Sequence, residues 1–513
     1  MPWYRSSAVI SIATILLPPL GLILLWTRRD LETGKKVFGS LAIVALGVSY
    51  FTIVFFSGLF FDGRAFFAKP DPRMEAHYDE LERQRAQQRD ASGAVLTPDQ
   101  QATPGATSNA NASQPMSVPV AAAARSTRSY WTNYRGPSRD GRYDEAPIRT
   151  EWPAGGPRLL WKQPIGGGYA SFVVAEGVAF TIEQRRRQEI VAAYDVETGR
   201  ELWTQASEAE FIESMGGDGP RATPTWEAGR LYALGAEGDL RSLDAKTGKV
   251  NWSRNILKDA GADNLQWGMA GAPLIVDDKV VVLPGGRSGK SIVAYNKMTG
   301  AQVWKSLDDI QAYVSPMLVT LAGKRQILVV TSNRVVGLTP EDGALLWESP
   351  WNTDMGINCS QPIVIDAGRF FISSGYGKGA ALVEITSSGD GMTAHKVWEN
   401  TSMKNKFNSS VLFEDNVYGL DEGILTCVDV KTGERKWKGG RYGYGQLILA
   451  SGHLIIIGDT GELALVKATP DKHTEVAKFP ALEGRTWNYP AIADGRLLIR
   501  NRTQMACFDL SAK

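Results

Sequence analysis

Apolar residues are distributed along this chain in two distinct ways. Residues 8–26 are apolar except for Ser11, Thr14, Pro18, Pro19 and Gly21, and residues 37–61 form a second run without a charge. Each run is long enough to cross a hydrocarbon core as a helix. From residue 131 onward the apolar stretches are short, alternating or continuous, and bounded by turn residues. This pattern predicts strands joined by tight connections. Eight such strands recur, among them "GVAFTIE", "GRLYALGA", "KVVVLPGG" and "HLIIIGD". Each is preceded by small residues, as in "RATPTW", "AGAPLIV" and "NYPAIA". Small side chains suit the crowded innermost strand of a radial array.

One phrase is repeated: "AYDVETGRELW" at 193–203, "SLDAKTGKVNW" at 242–252, "AYNKMTGAQVW" at 294–304 and "CVDVKTGERKW" at 427–437. Gly199, Gly248, Gly300, Gly343 and Gly433 each stand four residues before Trp203, Trp252, Trp304, Trp347 and Trp437. Asp195, Asp244, Asn296, Thr339 and Asp429 stand eight residues before the same tryptophans. Trp161 and Trp398 continue the series without the full phrase, and Phe479 occupies the eighth position. The intervals of about 39 to 52 residues are those of propeller blades. Asp, Asn or Thr can bond the backbone of the turn that follows, Gly supplies a positive φ, and a large indole can fill the gap between neighbouring sheets.

The count closes on itself. "RLLWKQPIG" provides a terminal strand with none before it, and "NYPAIADGRLLIRNRTQMACFDL" provides three strands with no fourth. Together they complete one blade and leave no open ring ends. A β-sandwich is the alternative, but sandwiches lack a fixed-period repeat. The expected fold is all-β: an eight-bladed β-propeller of four-stranded blades over residues 129–513.

Ahead of it, residues 1–67 are read as a two-helix transmembrane hairpin. The loop between the spans holds Arg28, Arg29, Lys35 and Lys36 against Asp30 and Glu32. Basic short loops stay in the cytoplasm, which sends both ends of the hairpin outside. A cleaved secretory signal is the alternative for the first run, but a second span follows at once. Residues 68–128 are read as a flexible linker. Its charged beginning, "PDPRMEAHYDELERQRAQQRD", is compatible with a short helix, and the rest is rich in Ala, Ser, Pro and Gln and poor in large apolar residues.

"DVETGRELW", "DAKTGKVNW" and "DVKTGERKW" resemble the tryptophan-docking repeats of the eight-bladed propellers of the quinoprotein-dehydrogenase-like superfamily, which bind pyrroloquinoline quinone (PQQ). "WTNYRGPSRDGRY" and "GGDGPRATPTWEAGRLYALGAEGDLRSLDAKTG" resemble its compact bacterial branch, the BamB type. The resemblance covers about residues 130–513 and implies the fold more firmly than any activity. It implies Trp161, Trp203, Trp252, Trp304, Trp347, Trp398 and Trp437 as blade-docking residues.

Two function classes follow. One is a non-catalytic platform for a protein partner in the cell envelope, with no cofactor or metal expected. The other is a dehydrogenase of alcohols or sugars that uses PQQ and calcium. A ligand-sensing domain is a third reading. The dehydrogenases carry a vicinal cysteine pair and long insertions. Here the three cysteines, Cys359, Cys427 and Cys507, are dispersed and the blades are tightly spaced. Cys427 and Cys507 are expected as buried free thiols, one blade intervening. Glu183, Asp218 and Asp354 are the acids nearest the expected blade tops. Glu183, Asp218 and Arg221 are the candidates under the dehydrogenase reading.

For the platform, the candidate rim contains one residue per blade: Tyr169, Arg221, Trp267, Tyr313, Asn358, Asn408, Tyr444 and Trp487. Aromatic residues and Arg on a concave face are what binding hot spots use. "EQRRRQE" at 183–189 places three arginines in an expected hairpin, either as a solvated turn or as a contact for an acidic surface or lipid headgroups. The four histidines are scattered, without a nucleophile motif beside them. Lys and Arg number 56 against 55 Asp and Glu, which gives no global attraction to nucleic acid. The combined expectation is a protein of the bacterial inner (cytoplasmic) membrane, anchored by its hairpin, with the propeller on the periplasmic or extracellular side.

Overall fold

Eight small antiparallel sheets organise the computed structural model, which describes residues 18–28, 31–56, 72–92, 130–389 and 391–512. Seven sheets follow in chain order, over residues 173–208, 225–255, 274–306, 317–350, 363–400, 411–441 and 446–480; we number these blades 1 to 7. Blade 8 joins the three C-terminal strands, within 491–509, to the strand Arg158–Pro164 from the other end of the domain. That outer strand runs antiparallel to Gln504–Asp509, with Trp161 opposite Cys507. The expected four-stranded blades and shared closing blade are therefore both present.

The repeated phrase is explained by what it does for the neighbouring blade. The indole N–H of Trp203 donates to the carbonyl of Ala245 at 3.0 Å, and that of Trp252 to Lys297 at 3.0 Å. Trp161, Trp304 and Trp398 likewise donate to Val196, Pro340 and Val430 at 2.8, 3.2 and 2.9 Å. Each acceptor directly follows the Asp, Asn or Thr of the next blade's phrase. The face of the ring then rests on the phrase glycine. A Cβ on Gly248 would lie 2.5 Å from Trp203, and one on Gly199 would lie 2.6 Å from Trp161. These glycines also hold φ angles of 74° and 69°. The acid closes the same turn: Asp244 accepts from the Thr247 N–H at 2.8 Å and from its hydroxyl at 2.7 Å. One short turn thus fixes its own hairpin and receives the adjacent blade.

Two departures follow the same physics. Trp347 lies opposite Gly337 and donates to Gln326 of its own blade; blade 5, which it faces, lacks the phrase. Phe479 replaces the indole of blade 7, and a Cβ on Gly156 would lie 2.3 Å from it. Gly156 holds φ 85°, and Asp509 pairs with Arg158 at 2.9 Å. The two chain ends therefore rebuild the turn between them. Apolar clusters fill each seam, as where Tyr232 and Leu234 of blade 2 meet Val280 and Val293 of blade 3.

Two further elements belong to the propeller unit. Arg142–Tyr143 adds a fifth strand, parallel to Gln446–Ala450 of blade 7. Residues Pro72–Ser92 form a helix that packs on blades 8 and 1, with Leu81 fully buried. This part of the expected flexible linker is thus ordered: its apolar residues are few, but Tyr78 and Leu81 fall on one side of the helix. Residues 93–129 lie outside the described residues.

The N-terminal unit contains α1 (Pro18–Trp26) and α2 (Thr33–Phe56), and the helix Pro72–Ser92 is α3. Leu25 and Ile43 pack between α1 and α2, and Gly39 allows the close approach: a Cβ there would lie 2.9 Å from Leu25. Among the described residues, no helix is long and apolar enough to cross a membrane. Residues 8–17 and 57–61 of the expected spans, and the side chains of 46, 47 and 50–56, lie outside the described residues.

The docking geometry yields a paired prediction. Gly248→Ala must accommodate both a left-handed backbone and the face of Trp203. Gly229, at φ 78°, has nothing within 4 Å of the same added atom. Gly229→Ala should destabilise by about 1 kcal/mol. Gly248→Ala should lose about 2–4 kcal/mol, because overpacking is added. Urea denaturation of the two variants measures the difference.

Candidate docking site at the mouth of the propeller

The innermost strands of a propeller are sheet edges that face the axis, so their free backbone groups need partners. Residues 130–143 supply them. The Trp131 and Thr132 carbonyls accept from Val174 of blade 1 and Trp226 of blade 2, at 2.8 and 2.9 Å. Arg139 is buried and donates to the carbonyls of Ala272, Pro273 and Pro316 at 3.1, 2.5 and 2.9 Å. Arg135 donates to Ser410 at 2.6 Å, and the Tyr143 hydroxyl accepts from Gly495 at 3.0 Å. Burial pulls the Arg139 guanidinium down to about 9, which leaves it charged at neutral pH. The segment is a plug that reaches blades 1, 2, 3, 4, 6, 7 and 8.

Tyr134 extends from the plug to Tyr489, with ring centroids 5.2 Å apart. Burial raises the Tyr134 phenol well above its usual range, and burial pushes the Cys359 thiol up to about 12. The channel therefore offers a neutral thiol rather than a nucleophilic thiolate. Cys427 and Cys507 are buried and free.

At the start of the inner strands the rim residues gather in part. Tyr169 stacks on Trp487 at 5.5 Å, Trp487 meets Phe407 at 4.7 Å, and Phe407 meets Tyr444 at 5.2 Å. Trp267 and Tyr313 form a separate pair at 5.6 Å. Cations lie over these rings: Arg221 over Tyr169 at 5.6 Å, Arg485 over Trp487 at 4.6 Å and Lys406 over Tyr444 at 4.7 Å. Asn358 and Asn408, expected on the rim, are buried instead. Asn358 donates to the Thr331 carbonyl at 2.9 Å and accepts from Ser374 at 2.8 Å. Asn408 accepts from Asn405 at 3.1 Å. Asn358 fastens the backbone around Thr331, and Asn408 joins the buried side chain of Asn405. Phe407, Lys406 and Arg485 were not singled out from the sequence; Phe407 and Lys406 stand one and two residues before Asn408, the position that the repeat alignment selected.

The residues of the dehydrogenase reading do not converge. Glu183 is fully buried and bonded to Arg185 at 2.6 Å. Burial would raise its carboxyl, but Arg185 and Arg500 outweigh this and hold it below the usual range. Asp218 pairs with Arg502 at 3.4 Å. Arg221 donates to the Gly217 carbonyl at 2.6 Å. Among the described residues, no three His, Cys, Asp or Glu side chains are grouped to hold a metal ion. A calcium ion takes several converging oxygen ligands; Glu183 and Asp218 are instead engaged by Arg185 and Arg502.

A family model described as "Outer membrane protein assembly factor BamB" matches residues 149–262 and 187–439, more than half of the chain. The chain belongs to this family. The BamB of Shewanella oneidensis is 25% identical over 320 residues, covering 59% of this chain and 66% of that protein. A 1-butanol dehydrogenase (cytochrome c) of Thauera butanivorans is 30% identical over 133 residues, covering 25% of this chain and 18% of that protein. The chain thus spans about two thirds of the first relative and under a fifth of the second. The crystal structure of BamB from Moraxella catarrhalis matches with a TM-score of 0.50 at 16% identity, over 68% of this chain and 97% of that one. That likeness concerns the fold alone.

Within this BamB-family propeller the plug is structural. Arg139→Ala removes the donor of the buried Ala272 and Pro316 carbonyls, while Pro273 keeps the Thr225 hydroxyl, and should destabilise by about 3 kcal/mol. Arg187→Ala, whose side chain is 86% exposed, should stay within about 0.5 kcal/mol. The shift in urea midpoint at unchanged slope checks both.

Proposed function

We propose that this chain is a membrane-anchored, extracytoplasmic docking platform for a protein partner in the cell envelope, without catalysis of its own. The observation that carries the reading is the mouth: an arc of Tyr169, Trp487, Phe407 and Tyr444, overlaid by Arg221, Arg485 and Lys406, above a plugged channel. Rigid aromatic rings and Arg are the side chains that dominate protein-binding energy. The mouth holds no grouped metal ligands among the described residues and no ionised nucleophile, so the geometry supports recognition rather than turnover. Family membership agrees, since the matching model and one relative are named as outer membrane protein assembly factors.

Anchoring rests on the outward faces of the N-terminal helices. Ile23, Phe38, Leu41, Val44 and Val48 are 63, 76, 65, 50 and 61% exposed. A helix pair that turns its large apolar residues outward suits a lipid surrounding. The basic loop favours a cytoplasmic connection between the helices, with the propeller in the periplasm or outside the cell. Residence in the inner membrane separates this chain from a direct part in outer-membrane assembly. The PQQ-dependent dehydrogenase reading is weaker because Glu183 and Asp218 are engaged in separate ion pairs.

A photo-crosslinking residue at Trp487 or Tyr444, in intact cells, should capture a discrete envelope protein. The same residue at Val303, exposed on the outer strand of blade 3, should not. Equal capture at all three positions, or capture only at Val303, contradicts the mouth as the docking site.

A further inference from the structure

The helix α3 is seated on the propeller by contacts of a particular kind. Its residues Glu75, Asp79 and Glu82 follow one another at spacings of four and three, which places them on one face. All three bind a single side chain, Arg186, at the tip of the second hairpin of blade 1. The Glu75 contact is 3.2 Å, and Asp79 and Glu82 complete the set. Arg186 holds a left-handed backbone with φ 52°. The turns joining the second and third strands of blades 2, 5, 6 and 7 use Gly238, Gly377, Gly423 and Gly461 in that conformation. Tyr376 and Glu422 take the same left-handed backbone in the turns of blades 5 and 6; in blade 1 the residue there is Arg186, whose guanidinium points at α3.

The adjoining face of α3 is buried. Tyr78 and Leu81 are 5 and 0% exposed. His77 bonds to the Ile165 carbonyl at 2.8 Å. Arg85 enters the seam between blades 8 and 1. It donates to Gln163 at 2.6 Å and to the Pro164 carbonyl at 2.8 Å, lies 3.6 Å from Glu201, and covers the ring of Tyr194 at 5.2 Å. Each Arg186 pair alone is partly exposed and worth little. The specificity lies in the combination: three carboxylates on a basic turn, with an arginine three residues further on delivered into a polar slot.

We propose that this seat is a recognition site for an acidic helix, that α3 fills it in cis, and that a helix of a partner protein with the same spacing of carboxylates displaces α3. The proposal deepens the platform reading and rests on it. It assigns the edge of blades 8 and 1 a partner of stated chemistry: a helix with acids at i, i+4 and i+7 and an arginine at i+10. While α3 is docked it acts as a tethered competitor, present at an effective concentration of about millimolar.

The test uses the full chain in lipid nanodiscs and a fluorescent peptide of residues 72–92 as the probe. A form carrying Glu75→Gln, Asp79→Asn, Glu82→Gln and Leu81→Asp should release α3 and bind the peptide about tenfold or more tightly than the wild type. Adding Arg186→Glu should abolish that binding. A peptide with Lys at positions 75, 79 and 82 should restore it, which shows that the Arg186→Glu form is folded. Equal affinity of wild type and released form, no binding to the released form, or binding of the unaltered peptide to the Arg186→Glu form would each overturn the proposal. Crosslinking at Trp487 reads a different surface, so its success or failure reports on the platform reading separately.

Discussion

An indole laid on a glycine of the next blade is the contact on which the rest of this structure depends. It ties two sheets together at their outer edge, where a propeller would otherwise splay. It demands three things at once: a flat ring, a residue without a Cβ, and a turn that presents a free carbonyl. The phrase that supplies the turn is the phrase that ends in the next ring. A blade that carries the whole phrase is therefore both receiver and donor; blade 5 lacks it, and Trp347 of blade 4 bonds within its own blade instead. The last joint has no continuous chain to rely on. There Asp509 and Gly156, from opposite ends of the domain, stand in for one turn, and Phe479 stands in for the indole.

Closure leaves a channel, and the channel determines what the molecule can offer a partner. The plug of residues 130–143 satisfies the inner strand edges and removes the channel as a passage. What remains accessible is the arc of rings and cations at the mouth; the edge of blades 8 and 1 is covered by α3. Glu183 is buried against Arg185, Asp218 pairs with Arg502, and burial keeps the Cys359 thiol neutral.

The ring was legible in the sequence because its controlling contact is local in register, even though it joins separate sheets. Gly and Trp four residues apart announce it, and the missing strands at the two ends announce the shared blade. Other features depend on what several blades bring to one point, and no spacing encodes that. Arg135 and Arg139 carry no sign of their role in the sequence, because their acceptors are backbone carbonyls of blades 3, 4 and 6. Asn358 and Asn408 stood in the right column of the repeat but turned inward, Asn358 to the Thr331 carbonyl and Asn408 to the Asn405 side chain. Trp347 kept its place and changed its partner, because Gly337 opened room in its own blade and blade 5 lacked the phrase. The helix α3 looked like part of a tether because its apolar residues are few. Its seat depends on Arg186, which is more than a hundred residues away in the chain.

Native-state hydrogen exchange on the closing sheet tests the central claim most directly. If the ring is one cooperative unit fastened by these contacts, amides of 158–164 and 504–509 should exchange only through global unfolding. Their opening free energy would then equal that of the third strand of blade 3, Ile292–Asn296. A closing sheet that opens several kcal/mol more easily than blade 3 would show that the two chain ends do not hold the wheel shut, and would contradict the account.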